Sequence, residues 1–163
     1  MISIFIRAIT YSVLFIGLLL VFLPAQLLAR AGITPPAIFG VTQVIGVIIA
    51  ICGGALAIWC ILTFAVVGQG TPAPFDPPRR LVIRGPYAFV RNPMYIGADL
   101  TLVGAALFYG SLALVAYAAI FLLFTHLFVL VYEEPTLRRT FGTDYEGYCH
   151  KVGRWLPHIL IHD

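Results

Sequence analysis

The stretch Tyr95–Tyr132, YIGADLTLVGAALFYGSLALVAYAAIFLLFTHLFVLVY, decides the fold. It is 38 residues long, with Asp99 its only acid and His126 its only other titratable side chain apart from tyrosines. As one helix it would be about 57 Å long at ~1.5 Å per residue. That is nearly twice a hydrocarbon core of about 30 Å. Gly110-Ser111 lies near its middle and supplies turn residues. The stretch therefore predicts a tight helical hairpin, with arms Pro93–Tyr109 and Leu112–Glu133.

Two further apolar runs precede the hairpin. Ala8–Ala29 and Ile38–Val67 each lack a charged residue, and each is long enough to cross a bilayer. The first also admits a signal-peptide reading, since Arg7 precedes it and Ala29-Arg30-Ala31 resembles a cleavage site. Its length exceeds an h-region of about 7–15 residues, which favours a retained span. Pro24 is expected to kink it. In the second run, Gly46, Ala50 and Gly54 recur every fourth residue, a small-residue ridge suited to close helix packing in lipid. The composition agrees: the 163 residues are 61% hydrophobic and 10% charged, with mean hydropathy +0.98. A soluble domain averages about 25% charged. The expectation is an all-α, polytopic membrane helical bundle, one domain over 1–163, with about four spans near 8–29, 38–67, 93–109 and 112–133.

Charge fixes an orientation for this arrangement. With the N-terminus inside, Arg7, Arg79, Arg80, Arg84, Arg91, Arg138, Arg139, Lys151 and Arg154 are cytoplasmic, and only Arg30 is outside. Nine against one is a strong positive-inside bias. Both termini, the loop 68–92 and the tail 134–163 are then cytoplasmic. The net charge of +3 and the lack of a basic stripe exclude a nucleic-acid partner. Three cysteines without C-x-x-C spacing suit burial as small hydrophobes. No H-E-x-x-H, G-x-S-x-G or Walker pattern occurs, so no metal is expected.

The soluble parts are short. Gly68–Pro93 holds six of the eleven prolines and four arginines, a turn-rich loop too irregular for lipid. Beyond Glu134, Pro135 suits a first helical position, Gly142 a helix stop, and Thr143–Glu146 a capping box. Tyr145, Tyr148, Val152, Trp155 and Leu156 form an apolar-aromatic stripe flanked by Arg138, Arg139, Lys151 and Arg154. That pattern predicts a short amphipathic tail against the headgroups.

This topology brings two distant motifs together. RNPMYIG (Arg91–Gly97) opens the hairpin and YEEP (Tyr132–Pro135) closes it, so Arg91, Asn92, Tyr95, Glu133 and Glu134 meet at one interface. Asn92 before Pro93 also suits a helix N-cap, and Tyr95 an interfacial belt. Adjacent acids at a helix C-terminus oppose the macrodipole, so a cation must offset Glu133-Glu134: Arg138 or Arg139, or a bound ligand. Asp99 shares a face with Asn92 and Tyr95, and an acid at membrane depth is a functional hypothesis by default. His126 is a hydrogen-bonded core histidine or a base.

RGPYAFVRNPMYIG followed by EEPTLRRTFGTDYEGYCHKVGRWLP resembles the isoprenylcysteine carboxyl methyltransferase and phospholipid N-methyltransferase superfamily, over roughly Gly68 to Pro157. The resemblance implies a small helical membrane fold binding S-adenosylmethionine at the cytosolic side, with a lipidic or prenylated acceptor entering from the bilayer. It implies that Arg91, Asn92, Pro93 and Tyr95 belong to one cofactor motif and Glu133 and Glu134 to the second. Tyr145 and Tyr148 match aromatic positions of the C-terminal segment. N-P-M-Y and Y-E-E-P look like the phospholipid branch, while the tail looks like the isoprenylcysteine branch, which usually has His where this chain has Asn92. Arg91 is then expected to bind a carboxylate or lipid phosphate. Asp99 and His126 are the candidate bases for an amine acceptor. A non-enzymatic membrane scaffold or assembly module, or a small transporter, are the rival readings. The absence of an internal repeat weighs against the transporter.

Overall fold

The computed structural model describes residues 10, 13, 14, 16–68 and 79–157. The start of the first apolar run and the proline-rich centre of the loop lie outside the described residues. Five helices make up the described chain: α1 (Gly17–Arg30), α2 (Val41–Gly68), α3 (Pro93–Tyr109), α4 (Leu112–Phe141) and α5 (Thr143–Lys151). A 3-10 turn, Gly85–Ala88, sits in the loop before α3. No strand occurs among the described residues, only an isolated parallel bridge between Val90 and Gly153.

Two helices, α2 with 28 residues and α4 with 30, are long and apolar enough to cross a membrane. Their outer faces carry Ile51, Ile58, Trp59, Ile120, Phe124 and Val131, all exposed, as a lipid-facing surface requires. The described part of α1 and the 17-residue α3 are shorter. The hairpin forms where the turn residues place it. Gly110 adopts φ 58° and ends α3, a left-handed conformation that costs glycine little. Ser111 Oγ then accepts the Leu114 N–H at 3.3 Å and caps α4. Leu28 of α1 closes this end against Ala106 and Leu114.

The α2–α3 contact is a seam of small residues. A Cβ on Gly53 would lie 2.5 Å from the Gly97 carbonyl oxygen, and one on Gly104 2.5 Å from the Ala50 nitrogen. Backbones this close leave no room for side chains. The ridge runs Gly46, Ala50, Gly53 and Ala57. The expected third member, Gly54, faces open space.

Prolines are absorbed by widened turns. Pro24 follows a π turn at Gly17–Phe22. The Leu19 carbonyl accepts the Tyr117 hydroxyl of α4 at 2.8 Å, so a backbone group freed ahead of the proline is satisfied inside the bundle. The same device precedes Pro135: a π turn spans Val129–Glu133, where the Glu134 N–H bonds to the Val129 carbonyl. Pro135 therefore does not begin a separate helix. It lies within continuous α4, which at about 45 Å outruns the hydrocarbon core and projects beyond it. Glu133 and Glu134 are inside a helix, not at its C-terminus, and the macrodipole argument for them fails.

Two tail expectations change as well. Gly142, not Thr143, is the N-cap of α5, and no side chain caps it. The aromatic stripe turns inward: Tyr145, Tyr148 and Val152 are buried against Leu81, Leu137 and Phe141. The apolar face of α5 thus packs on the loop and α4, and only Leu156 of the predicted stripe is strongly exposed.

Candidate active site

Four elements converge where the hairpin opens: the end of the loop, the start of α3, the projecting part of α4, and α5 with the residues after it. Arg91 precedes α3 and is 10% exposed at its side chain. Its Nη1 lies 3.3 Å from Glu134 Oε1, donates to Tyr145 Oη at 3.5 Å and contacts the Cys149 sulfur. Its Nε is buried and has no hydrogen-bond partner. A buried guanidinium N–H in that condition calls for an acceptor from a ligand or water.

The adjacent acids have different partners. Glu133 Oε2 accepts the Tyr95 hydroxyl at 3.0 Å. Glu134, 4% exposed at its side chain, takes a two-pronged contact from Arg154: Nε to Oε1 at 2.6 Å and Nη2 to Oε2 at 3.0 Å. Arg138 approaches from one turn along α4 at 3.6 Å. Burial alone would lift the Glu134 carboxyl. The Arg154 hydrogen bond, with the charges of Arg91, Arg154 and Arg138, carries it below its ordinary range. Burial pushes the phenols of Tyr145 and Tyr148 up, so both stay neutral.

The offsetting cations are thus Arg154, Arg91 and Arg138. Arg139 instead donates to the Pro135 carbonyl at 3.3 Å. Asn92 caps nothing with its side chain: its Nδ2 donates to the Arg154 carbonyl at 3.2 Å. Pro93 begins α3 and is fully buried. Arg91 N–H donates to the Gly153 carbonyl at 2.9 Å, and the Tyr148 hydroxyl to the Tyr87 carbonyl at 2.6 Å. These contacts stitch the tail to the loop.

A cavity of about 40 Å3 lies among Arg91, Asn92, Glu133, Glu134, Tyr145 and Tyr148, with Phe64, Val82 and Tyr87 on its apolar side. Both motifs line it, although some forty residues of chain separate them. Tyr95 reaches it only through Glu133. Asp99 and His126 do not line it. Asp99 Oδ1 is buried without a hydrogen-bond partner. His126 Nδ1 accepts the Trp155 indole N–H at 3.0 Å. A neutral imidazole accepting at Nδ1 carries its proton on Nε2, so this contact engages the one lone pair the ring could offer as a base.

Sequence reasoning missed Arg154 and Trp155 as parts of the site. The signal was the unpaired acidic couplet: its cation was sought one turn away, at Arg138 and Arg139, and stands 20 residues on.

Fold and site together define a helical membrane protein with an ionic site at one end of its bundle. The phospholipid methyltransferase family model matches residues 41–144, well over half of the chain, and the chain belongs to that family. The match begins earlier than the motif resemblance, at the start of α2, and stops short of Arg154 and Trp155, which contact Asn92, Glu134 and His126. It favours the phospholipid branch and lends nothing to a prenylated acceptor. No curated protein and no solved structure matches the chain.

Proposed function

We propose that this protein is a multi-pass membrane enzyme that methylates a lipidic acceptor with S-adenosylmethionine, in the cavity at the cytoplasmic mouth of the α3–α4 hairpin. The observation that carries this reading is the buried, unpartnered Nε of Arg91, a residue of the wall of a cavity to which both motifs contribute, in a chain of this family. Such a donor suits the carboxylate of the methyl donor or the phosphate of a lipid. When bound, S-adenosylmethionine supplies a methyl group activated by its sulfonium.

The chain's own residues divide the remaining work. Arg91 binds an anionic group and Tyr145 steadies it. Asn92 and Pro93 fix the start of α3, and Tyr95 holds Glu133 toward the cavity, where either acid can accept from an amine or ribose hydroxyls. Asp99 and His126 are the groups able to take a proton from an amine acceptor: the first offers a free buried oxygen, the second only when Trp155 leaves it. Holding the reacting groups at about 3–3.5 Å supplies much of the rate. The acceptor arrives sideways from the lipid, because the described soluble parts are a short loop and tail. The nine-to-one cation split supports four spans in a single domain with both termini cytoplasmic.

Equilibrium dialysis of the detergent-purified chain with radiolabelled S-adenosylmethionine tests the reading. Saturable binding is expected, weakened about tenfold or more by Arg91→Gln, the loss of a charge-assisted hydrogen bond. No saturable binding by the wild-type chain overturns it.

A further inference from the structure

Three consecutive residues after α5 take up the groups on which the site depends. The Gly153 carbonyl accepts the Arg91 N–H. Arg154 holds both oxygens of Glu134, and its carbonyl takes the Asn92 amide. Trp155 donates to His126. Arg91, Asn92, Glu134 and His126 are thus tied to one segment of chain. The cavity that remains, about 40 Å3, has room for about three waters. It falls far short of the roughly 300–1,000 Å3 of a small-molecule site.

The attachment of this segment is uneven. Val152, just before it, is buried at 8% exposure and anchored between Tyr145 and Tyr148. Beyond it, Arg154 and Trp155 are only partly buried, and Leu156 is 77% exposed. Gly153 is buried and bridged to Val90, while Arg154 and Trp155 are held chiefly by polar contacts, the profile of a part that opens without unfolding the rest. Arg154 is also a cation on a buried carboxylate, and a ligand amine could take the same place.

We propose that Gly153–Trp155 is a displaceable strap that clasps residues lining this cavity, with Arg154 as the positioning residue that latches it on Glu134. The proposal takes the cavity to be the ligand site argued above. Lifting the strap frees the Glu134 carboxylate and the Asn92 amide, which line the cavity, together with the His126 lone pair, which stands apart from it. Unlatching Glu134 and releasing His126 are then one event.

Cys149 reports on the latch, since its sulfur touches Arg91 within the same ionic cluster. Cys60, 0% exposed, is an internal control for general loosening. The full chain in detergent is treated with a polar maleimide, and both cysteine peptides are quantified by mass spectrometry. Arg154→Gln is expected to label Cys149 about tenfold faster, as the loss of a charge-assisted contact implies, with Cys60 unchanged. Arg154→Lys, which keeps the charge but not the fork, falls between. Trp155→Phe, which leaves the Glu134 latch in place, gives a smaller acceleration in the same direction and covers the case in which Arg154→Gln does not fold. In a Trp59→Phe chain, Trp155 is the sole tryptophan, and saturating S-adenosylhomocysteine is expected to shift its emission as it leaves His126. Unchanged Cys149 labelling in the variants that fold overturns the strap. So does S-adenosylhomocysteine binding by dialysis with no change in Trp155 emission. Faster Cys149 labelling with no donor or product binding leaves the strap standing and removes the methyl-donor reading instead.

Discussion

The two ends of the α3–α4 hairpin are built on opposite plans. At the turn, each polar requirement is met within a few residues: Gly110 supplies the left-handed residue, Ser111 caps Leu114, and the Ser111 N–H returns to the Ala106 carbonyl. At the mouth, polar groups are met across the chain. Tyr95 reaches Glu133 over 38 positions, Arg91 reaches Tyr145 over 54, and Asn92 reaches the Arg154 carbonyl over 62. The turn end needs only its own sequence and an apolar neighbour, Leu28. The mouth exists only when loop, hairpin and tail are assembled, and among the described residues it alone holds an ionic cluster. A fold that gathers its charges this way leaves one end for architecture and the other for chemistry.

The sharpest way to break this contrast is at Glu134. Glu134→Gln leaves Arg91 and Arg154 facing a neutral amide in a buried place, and the expected loss is about 3 kcal/mol in thermal or denaturant unfolding in micelles. Arg138, 53% exposed, contributes little, and Arg138→Gln should stay within about 0.5 kcal/mol. The folded Glu134 carboxyl titrates below its ordinary value of 4.5. Its contribution is therefore complete above that value and is lost as pH falls through the lowered folded one. Wild type and Glu134→Gln should differ at neutral pH and converge at strongly acidic pH. A constant difference across that range would mean that Glu134 acts through packing and not through charge.

The same contrast explains what the sequence could disclose. The hairpin was legible because Gly110-Ser111 interrupts an apolar run too long for one span, and local turn chemistry decides the rest. The glycine ridge was legible only in part. A strict repeat of four selects Gly54, but a helix has 3.6 residues per turn, so the face through Gly46 and Ala50 continues at Gly53 and Ala57. The course of α4 was misread at Pro135, because a proline signals a helix start and nothing local announces a π turn that absorbs it. The pairing of Arg154 with Glu134 follows no periodicity. It depends on α5 packing its aromatic face on Leu81 and Leu137, a tertiary event that an amphipathic pattern fits as well as it fits a membrane surface.

A smaller effect at the mouth sharpens the division between the two acids. Tyr95→Phe removes one hydroxyl and strands the Glu133 carboxylate. The expected cost is about 2 kcal/mol, the scale of a hydrogen bond to a charged group. It should leave the Arg154–Glu134 latch, and so the labelling rate of Cys149, unchanged. If Cys149 labelling accelerates as it does in Arg154→Gln, the two acids act as one unit and the separate assignments of Glu133 and Glu134 fall.

The smallest effect belongs to the turn. A Cβ on Gly110 would meet nothing within 4 Å, so Gly110→Ala introduces no clash and tests φ alone. An alanine held at φ 58° costs about 1 kcal/mol relative to glycine, read as a modest fall in unfolding temperature. Gly54 is the matching control. Its added Cβ also meets open space, but it lies inside the right-handed α2, so Gly54→Ala should be neutral or stabilising by up to about 1 kcal/mol. Opposite signs for two equally uncrowded glycines would assign the Gly110 effect to backbone conformation. Because the turn shares no polar partner with the mouth, Gly110→Ala should also leave donor binding and Cys149 labelling at wild-type values. A change in either would show that strain at Gly110 travels the length of the α3–α4 contact, and the two ends of the hairpin could no longer be treated as independent.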